Sequence, residues 1–412
     1  MSHSRVVTAE VVQYGAMEGT TPPTDLDKVR RDRLANVHRE LKKRDLAGAL
    51  LLDQVNVRYA TDATNMQVWC LHNEVRYCYV ATEGPCILFD FSHVAHLSDG
   101  LPGISERRPA RGVFYMGSGS RVEEHAREFA RQIADLVKEH SGGNKRIAVD
   151  RMGPDSFIAL QNEGLEMHDG FEMMEEARKI KTPEEIILMK TSIAASEKGI
   201  HAMREYMRPG ITENALWAKL HEANIAEGGE WIETRLLASG PRTNPWMSEC
   251  SMRVIEKGDM VSFDTDLVGP YGYCSDISRA WVCDAKPTNE QRRLYMNAME
   301  QLEHNREMVK PGLSFREWSE NCWKLPDEFV ANRYGVVAHG VGLVDEYPAI
   351  YFPQDYEANG YDGHFQAGMV VCVEALIGSD GGRECVKLEQ QLLVTEDGYE
   401  RLDRYPMDET WN

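Results

Sequence analysis

Asp264 and Asp266 stand two apart in the apolar stretch DMVSFDTDLV. On a strand, that spacing sends both side chains to one face. Gly269, Pro270 and Gly272 then turn the chain, and GYCSDISRAWV returns with Asp276, so one hairpin can converge three carboxylates. A second hairpin repeats the device: Glu374 lies in VVCVEALI, GSDGG at 378–382 turns the chain, and Glu389 returns in CVKLEQQLLV. Acids left unpaired among apolar residues are costly, so the pattern demands a compensating positive charge. Divalent metal supplies it. With His339 of VAHGVGLVDEYP as the one imidazole, the donor set is hard and oxygen-rich. Such a set suits two bridged first-row ions better than a thiolate-rich zinc site does. In the same stretch Gly340 and Gly342 permit a close backbone approach on the way to Asp345.

The elements that must position these residues are legible around them. KTPEEIILMKTSIAASEKGIHAMREY at 181–206 places Thr182 as an N-cap, Pro183 at the first helical position and Glu185 three residues after the cap, so a long helix opens a second domain there. Beyond it the chain repeats itself at a spacing of about 100 residues. MRPGIT at 207–212 answers VKPGLS at 309–314, and GDMVSFD at 258–264 answers GMVVCVE at 368–374. Both matches in the same order imply a pseudo-symmetric helix-helix-strand duplication. The first half reads as a small α/β domain: TDLDKVRRDRLANVHRELKKR as a charged helix, AGALLLD as a buried strand, RYCYVATEGPCILFDF as two strands about Glu-Gly-Pro, a helix near 121–140 and the strand RIAVD at 146–150. The fold class is therefore mixed α/β (α+β), with a scaffold or dimer-forming domain over 20–170 and a catalytic domain over 178–412.

Composition narrows the function. A chain of 412 residues with 46 basic and 66 acidic residues carries a net charge of −20, which repels nucleic acid and anionic membrane surfaces. There is no apolar run long enough to span a bilayer, and MSHSRVVTAEVVQYG lacks the layout of a signal peptide, so a cytoplasmic location is expected. Nine cysteines without CxxC spacing argue against a disulfide framework and a zinc ribbon.

With NVRYATD at 56–62, RKIKTPEEI at 178–186 and the ordered Asp, Asp, His, Glu, Glu set on one chain, the sequence resembles the pita-bread metalloenzymes, which include methionine aminopeptidase, aminopeptidase P, prolidase and creatinase. The resemblance implies a creatinase-like amino-terminal domain, a pseudo-two-fold catalytic domain and a homodimer. It also implies a site of two divalent ions on Asp264, Asp266, Asp276, His339, Glu374 and Glu389, with iron first and manganese, cobalt or zinc as alternatives.

Two departures bear on activity. Relatives place ten residues between the first two aspartates, whereas here the position that far before Asp276 is Thr265 and acids flank it. Peptidases of the family also read His-Gly-x-Gly-x-x-x-His-Glu-x-Pro; HGVGLVDEYP is one residue shorter and, matched from its Glu-x-Pro end, puts Asp345 where the second histidine would be, and SGPRTNPW at 239–246 similarly ends on Trp246 in place of a histidine. Loss of both imidazoles removes donors from the path of amide hydrolysis. An added acid and an indole favour a cationic ligand. The pattern is most similar to the members of the fold that cleave dimethylsulfoniopropionate, a small zwitterionic sulfonium, into dimethyl sulfide and acrylate. On that resemblance Asp345 is the general base, and Tyr334, Trp246, Tyr271 and Tyr273 are candidate substrate-binding walls. The rival readings are an Xaa-Pro dipeptidase or creatinase-like metal hydrolase, and a silent binding protein on the same fold.

Overall fold

A computed structural model describes residues 22–408, and the chain divides between Arg178 and Lys179 into two compact units. The amino-terminal stretch read above for a leader lies outside the described residues, as do residues 20 and 21 of the first expected domain.

The first unit is built on one six-stranded sheet: β1 (Gly48–Leu51), β2 (Tyr77–Ala81), β3 (Cys86–Asp90), β4 (Glu106–Pro109), β5 (Arg146–Val149) and β6 (Glu166–Asp169), in the order β4-β3-β2-β1-β5-β6. Helix α1 (Leu26–Lys43) precedes it, α2 (Gln54–Thr61) follows β1, and α3 (Val122–His140) packs Ala126, Phe129, Ala130, Ile133 and Val137 against Leu50, Tyr79 and Ile87 of the sheet. That apolar stripe recurs every three or four residues, as a half-buried helix requires.

Asp150, just past β5, accepts hydrogen bonds from the N–H of Leu52 at 2.8 Å and of Asp53 at 3.2 Å, and from Asn56 Nδ2 at 2.9 Å, and so fixes the entry to α2. Burial pushes its carboxyl from 3.8 up to about 7, with the charge of Asp53 adding and those hydrogen bonds opposing. The folded state then binds this proton more tightly than the unfolded state, so the contribution to stability falls as pH rises from about 4 to about 7. In melting scans, wild type should lose ground to Asp150→Asn across that window. A difference between the two that does not change with pH refutes the assignment.

The second unit carries the duplication. α4 (Pro183–Tyr206) starts on the expected capping box, in which Thr182 Oγ1 accepts from Glu185 N and Glu185 Oε2 accepts from Thr182 N. Gly210, at φ 94°, ends the first link and Thr212 caps α5 (Glu213–Ala226); Gly312, at φ 84°, does the same between α6 (Asn289–Glu307) and α7 (Phe315–Asn321), which Ser314 caps. Only glycine takes such left-handed angles without steric cost. Two small sheets accompany the first half: β7 (Trp231–Ile232) with β10 (Leu267–Val268) and β11 (Cys274–Ser275), and β8 (Leu237–Ser239) with β9 (Met260–Phe263) and β12 (Arg279–Val282). The second half contributes a five-stranded sheet of β13 (Ala338–Val341), β14 (Asp345–Ile350), β15 (Val370–Ile377), β16 (Val386–Val394) and β17 (Tyr399–Arg401), ordered β14-β13-β15-β16-β17.

Alternation along β15 and β16 decides what the large sheet offers. Val371, Val373, Ala375 and Ile377, with Val386, Leu388, Leu392 and Val394, join Leu294, Ala298 and Leu302 of α6 in one apolar core. Residues of the other parity, Cys372 and Glu374 on β15 and Lys387, Glu389 and Gln391 on β16, share the opposite face. Every one of them is buried.

Candidate metal centre

The six expected ligands converge. Glu374 pairs directly with Glu389 across β15 and β16, and His339 on β13 pairs with Cys372 beside them. Asp264, Asp266 and Asp276 reach the same place by a different device from the one expected. They do not sit on a continuous strand. Asp264 to Asp266 form the irregular link by which the chain leaves β9 for β10 in the other small sheet, with Asp266 at φ 38°, and Asp276 lies in the corresponding link between β11 and β12. Thr265 ties the two links, its Oγ1 donating to Ser275 O and accepting from Ile277 N, each at 2.9 Å. A sheet change at both positions, rather than strand alternation, brings the three aspartates together.

Ligand atoms of Asp276, His339, Cys372 and Glu389 lie within 4.8 Å of one another, as do those of Asp264, Asp266 and Asp276, and those of Asp264, Glu374 and Glu389. Asp264, Asp276 and Glu389 each belong to two of these groups, so the three clusters adjoin. His339 Nε2 faces Glu374 Oε1 at 3.1 Å, Glu389 Oε1 at 3.4 Å and Asp276 Oδ2 at 3.7 Å. Its Nδ1 is 3.1 Å from Gly340 O.

The electrostatics describe a site short of positive charge. Burial and the like charges of Asp264 and Asp266 push the Asp276 carboxyl well above the usual range; burial with Asp264 and Glu374 does the same to Glu389. Asp266 is pushed up to about 7 by burial and by the charges of Asp264 and Asp345. Asp264 is the exception: burial raises it, but the Lys387 charge and hydrogen bonds to its carboxylate outweigh that and hold it below the usual range. Glu389 Oε1 is buried without a hydrogen-bond partner. Oxygen donors that repel one another and an orphaned carboxylate oxygen beside one imidazole fit hard or borderline divalent ions.

Asp345 opens β14 across the tight turn from β13, so the glycine-rich stretch is a hairpin. A Cβ on Gly340 would stand 2.2 Å from Tyr347 O on the facing strand, so the close approach that the glycine permits is to its own hairpin. The hairpin tip is held by Cys274 N, which donates to Gly342 O at 2.8 Å, and by a buried ion pair between Glu346 and Lys181. Asp345 Oδ1 then lies 3.7 Å from His339 Nδ1 with 51 % of its side chain exposed. Its carboxyl is pushed above the usual range by the protein crowding its inner side, with Asp264 and Glu374 adding and His339 opposing.

Among the expected walls, Trp246 and Tyr334 share one small apolar cluster with Leu236, Leu376 and Cys385. The loop bearing Trp246 is pinned by Glu213, the first residue of α5, which accepts from Ser239 N at 2.9 Å and Ser251 N at 3.0 Å and pairs with Arg242. Tyr273 is not in that cluster: it is buried, and its hydroxyl donates to Glu185 at 2.9 Å on α4. Tyr271 is half-buried at φ 64° in the turn before it.

Residue spacing did not single out Lys387, Ser278, Thr234 or Cys372. Lys387 Nζ donates to Asp264 Oδ2 at 2.8 Å, to Glu374 Oε2 and, at 3.3 Å, to Glu389 Oε2; Ser278 Oγ stands 2.7 Å from Asp264 Oδ1; Thr234 donates to Asp266 Oδ2. The available signal was a lysine in the apolar run CVKLEQQLLV, two residues before a ligand and so on its face.

Two halves that each bring acids to one imidazole are the frame of this unit, and the chain belongs to metallopeptidase family M24, whose sequence pattern matches residues 187–396. Over 390 residues it is 43 % identical to dimethylsulfoniopropionate lyase DddP of Roseovarius nubinhibens, covering 93 % of this chain and 87 % of that protein. The DddP of Roseobacter denitrificans matches with the same identity and coverage. Among solved structures, an Xaa-Pro dipeptidase from Bacillus anthracis superimposes with a TM-score of 0.74 at 22 % identity, over 92 % of this chain and 99 % of its own, a likeness of fold.

Proposed function

We propose that this protein is a metal-dependent carbon-sulfur lyase that cleaves dimethylsulfoniopropionate by β-elimination, with Asp345 as the general base. The observation that carries the reading is the identity of 43 % over most of the chain to two lyases of that name. The site supports it: a half-exposed carboxylate stands beside the metal-ligand cluster where family peptidases place an imidazole.

Asp264, Asp266, Asp276, His339, Glu374 and Glu389 would hold two divalent ions. When bound, they supply a Lewis acid for the substrate carboxylate, which acidifies the neighbouring C–H. Asp345 takes the proton from that carbon. The C–H electron pair becomes the carbon-carbon double bond of acrylate, the C–S bond breaks, and the sulfur leaves with its electron pair as neutral dimethyl sulfide. Asp345 then returns its proton to water. Crowding that raises the carboxyl of Asp345 makes it a stronger base than a solvated aspartate. Lys387 stands 4.7 Å from the centre of the Tyr334 ring, so the indole of Trp246 is the better candidate to face a sulfonium.

The reading takes iron as the metal, a homodimer as the assembly and the cytoplasm as the location. The oxygen-rich donor set admits the first as it admits manganese or cobalt, and the creatinase-like resemblance supports the second. All nine cysteines are free thiols, which suits a reducing compartment. Among the described residues no helix is long and apolar enough to cross a membrane. Purified protein given dimethylsulfoniopropionate should release dimethyl sulfide into the headspace with one acrylate per sulfide, contain iron by elemental analysis, and scatter light as a dimer. Turnover of Xaa-Pro dipeptides without sulfide release would move the reading to the hydrolase alternative.

A further inference from the structure

The ammonium of Lys387 lies among the ligands and is fully buried. Its contacts follow a pattern. Lys387 takes Oε2 of Glu374 and, at 3.3 Å, Oε2 of Glu389. The Oε1 atoms of the same two residues turn the other way, 3.1 Å and 3.4 Å from His339 Nε2. Asp264 is gripped by Lys387 on Oδ2 at 2.8 Å and by Ser278 on Oδ1 at 2.7 Å; Ser278 Oγ also accepts from Lys387 at 2.9 Å and stands 2.8 Å from Glu389 Oε2, so the lysine sets that oxygen together with the serine it holds. A carboxylate on a two-carbon stem can present either oxygen, or both, by rotating about its last bond, which is a broad torsion. Two such groups opposite one another across β15 and β16 therefore need something to set their planes. Lys387 is on the same face as Glu389, two residues away, and its stem is immobilised by burial.

We propose that Lys387 is a positioning residue of the metal centre: by holding the Oε2 atoms of Glu374 and Glu389 it turns their Oε1 atoms, side by side, toward the ions and the imidazole. This rests on the metal-centre reading above. It opposes the simplest electrostatic expectation, in which a cation so close to the ligands only repels metal and its removal tightens binding. The sign of the effect therefore separates the two accounts.

The test is Mn²⁺ binding by equilibrium dialysis, with electron paramagnetic resonance reporting the exchange-coupled pair. Wild type should bind two ions and give the coupled signal; a wild type that binds none overturns the metal-centre reading itself. In Lys387→Met the affinity should fall by about tenfold or more, the scale seen when partners of metal ligands are removed, and the coupled signal should be lost or broadened. Lys387→Arg, which keeps the charge and the donors, should restore most of both. Two ions bound by Lys387→Met as tightly as by wild type, or more tightly, with the coupled signal intact, overturns the proposal. If the methionine variant is insoluble, Lys387→Gln, which is polar but uncharged, is judged by the same two outcomes.

Discussion

Asp345→Asn should lower dimethyl sulfide release by roughly 10² or more, the usual scale for a general base, while metal content stays near that of wild type. The substitution keeps size and polarity and removes only the capacity to accept a proton. Asp345 reaches the centre through His339 Nδ1 at 3.7 Å and belongs to none of the three ligand groups, so its loss should separate chemistry from metal binding. Sulfide release that survives in the asparagine variant places the base elsewhere, with Tyr334 the next candidate. Metal lost together with activity places Asp345 in the coordination sphere and removes the mechanism. Asp345→His is the sharper version: it restores the residue of the family peptidases, and it should abolish elimination without creating peptidase activity, because Trp246 still fills the place of the other histidine.

Asp276→Ala and Glu374→Ala should each abolish metal retention and turnover together. Asp276 belongs to two of the ligand groups and is fully enclosed, so no neighbouring acid can take over both of its roles. Glu374 carries the contact at 3.1 Å to His339 on one oxygen and the ion pair to Lys387 on the other. Its removal frees the lysine as well as the imidazole. Elemental analysis after gentle purification decides the matter, and a variant that keeps two ions per chain would remove that residue from the ligand set.

Much of this was legible in the sequence because buried acids are expensive. An aspartate or glutamate inside DMVSFDTDLV or VVCVEALI has few innocent explanations, and the capping box at Thr182 and Glu185 announces its helix by chemistry that is local. The outer strands β4 and β6, with sequences ERRP and EMHD, carry charged residues where a buried strand would alternate apolar ones, and among the described residues each pairs on one side alone. The break at Asp264 to Asp266 reads as strand for the opposite reason. Its residues alternate well, and only tertiary pairing reveals that the chain changes sheets there. Lys387 escaped because its significance depends on which oxygens it meets, a property of rotamers and not of spacing.

The sheet changes at Asp264 to Asp266 and at Asp276 give the centre a second office. The candidate ligands are drawn from the joints of two small sheets on one side and from the paired strands of a large sheet on the other, so ions bound there would occupy the keystone of the second unit. Free energy of ion binding is then shared by the whole vault, at about 2.7 kcal/mol when free metal stands at 100 times its dissociation constant. A chelator should therefore act as a denaturant aimed at one spot, lowering the melting temperature of wild type while leaving Asp276→Ala, whose keystone is already missing, where it was.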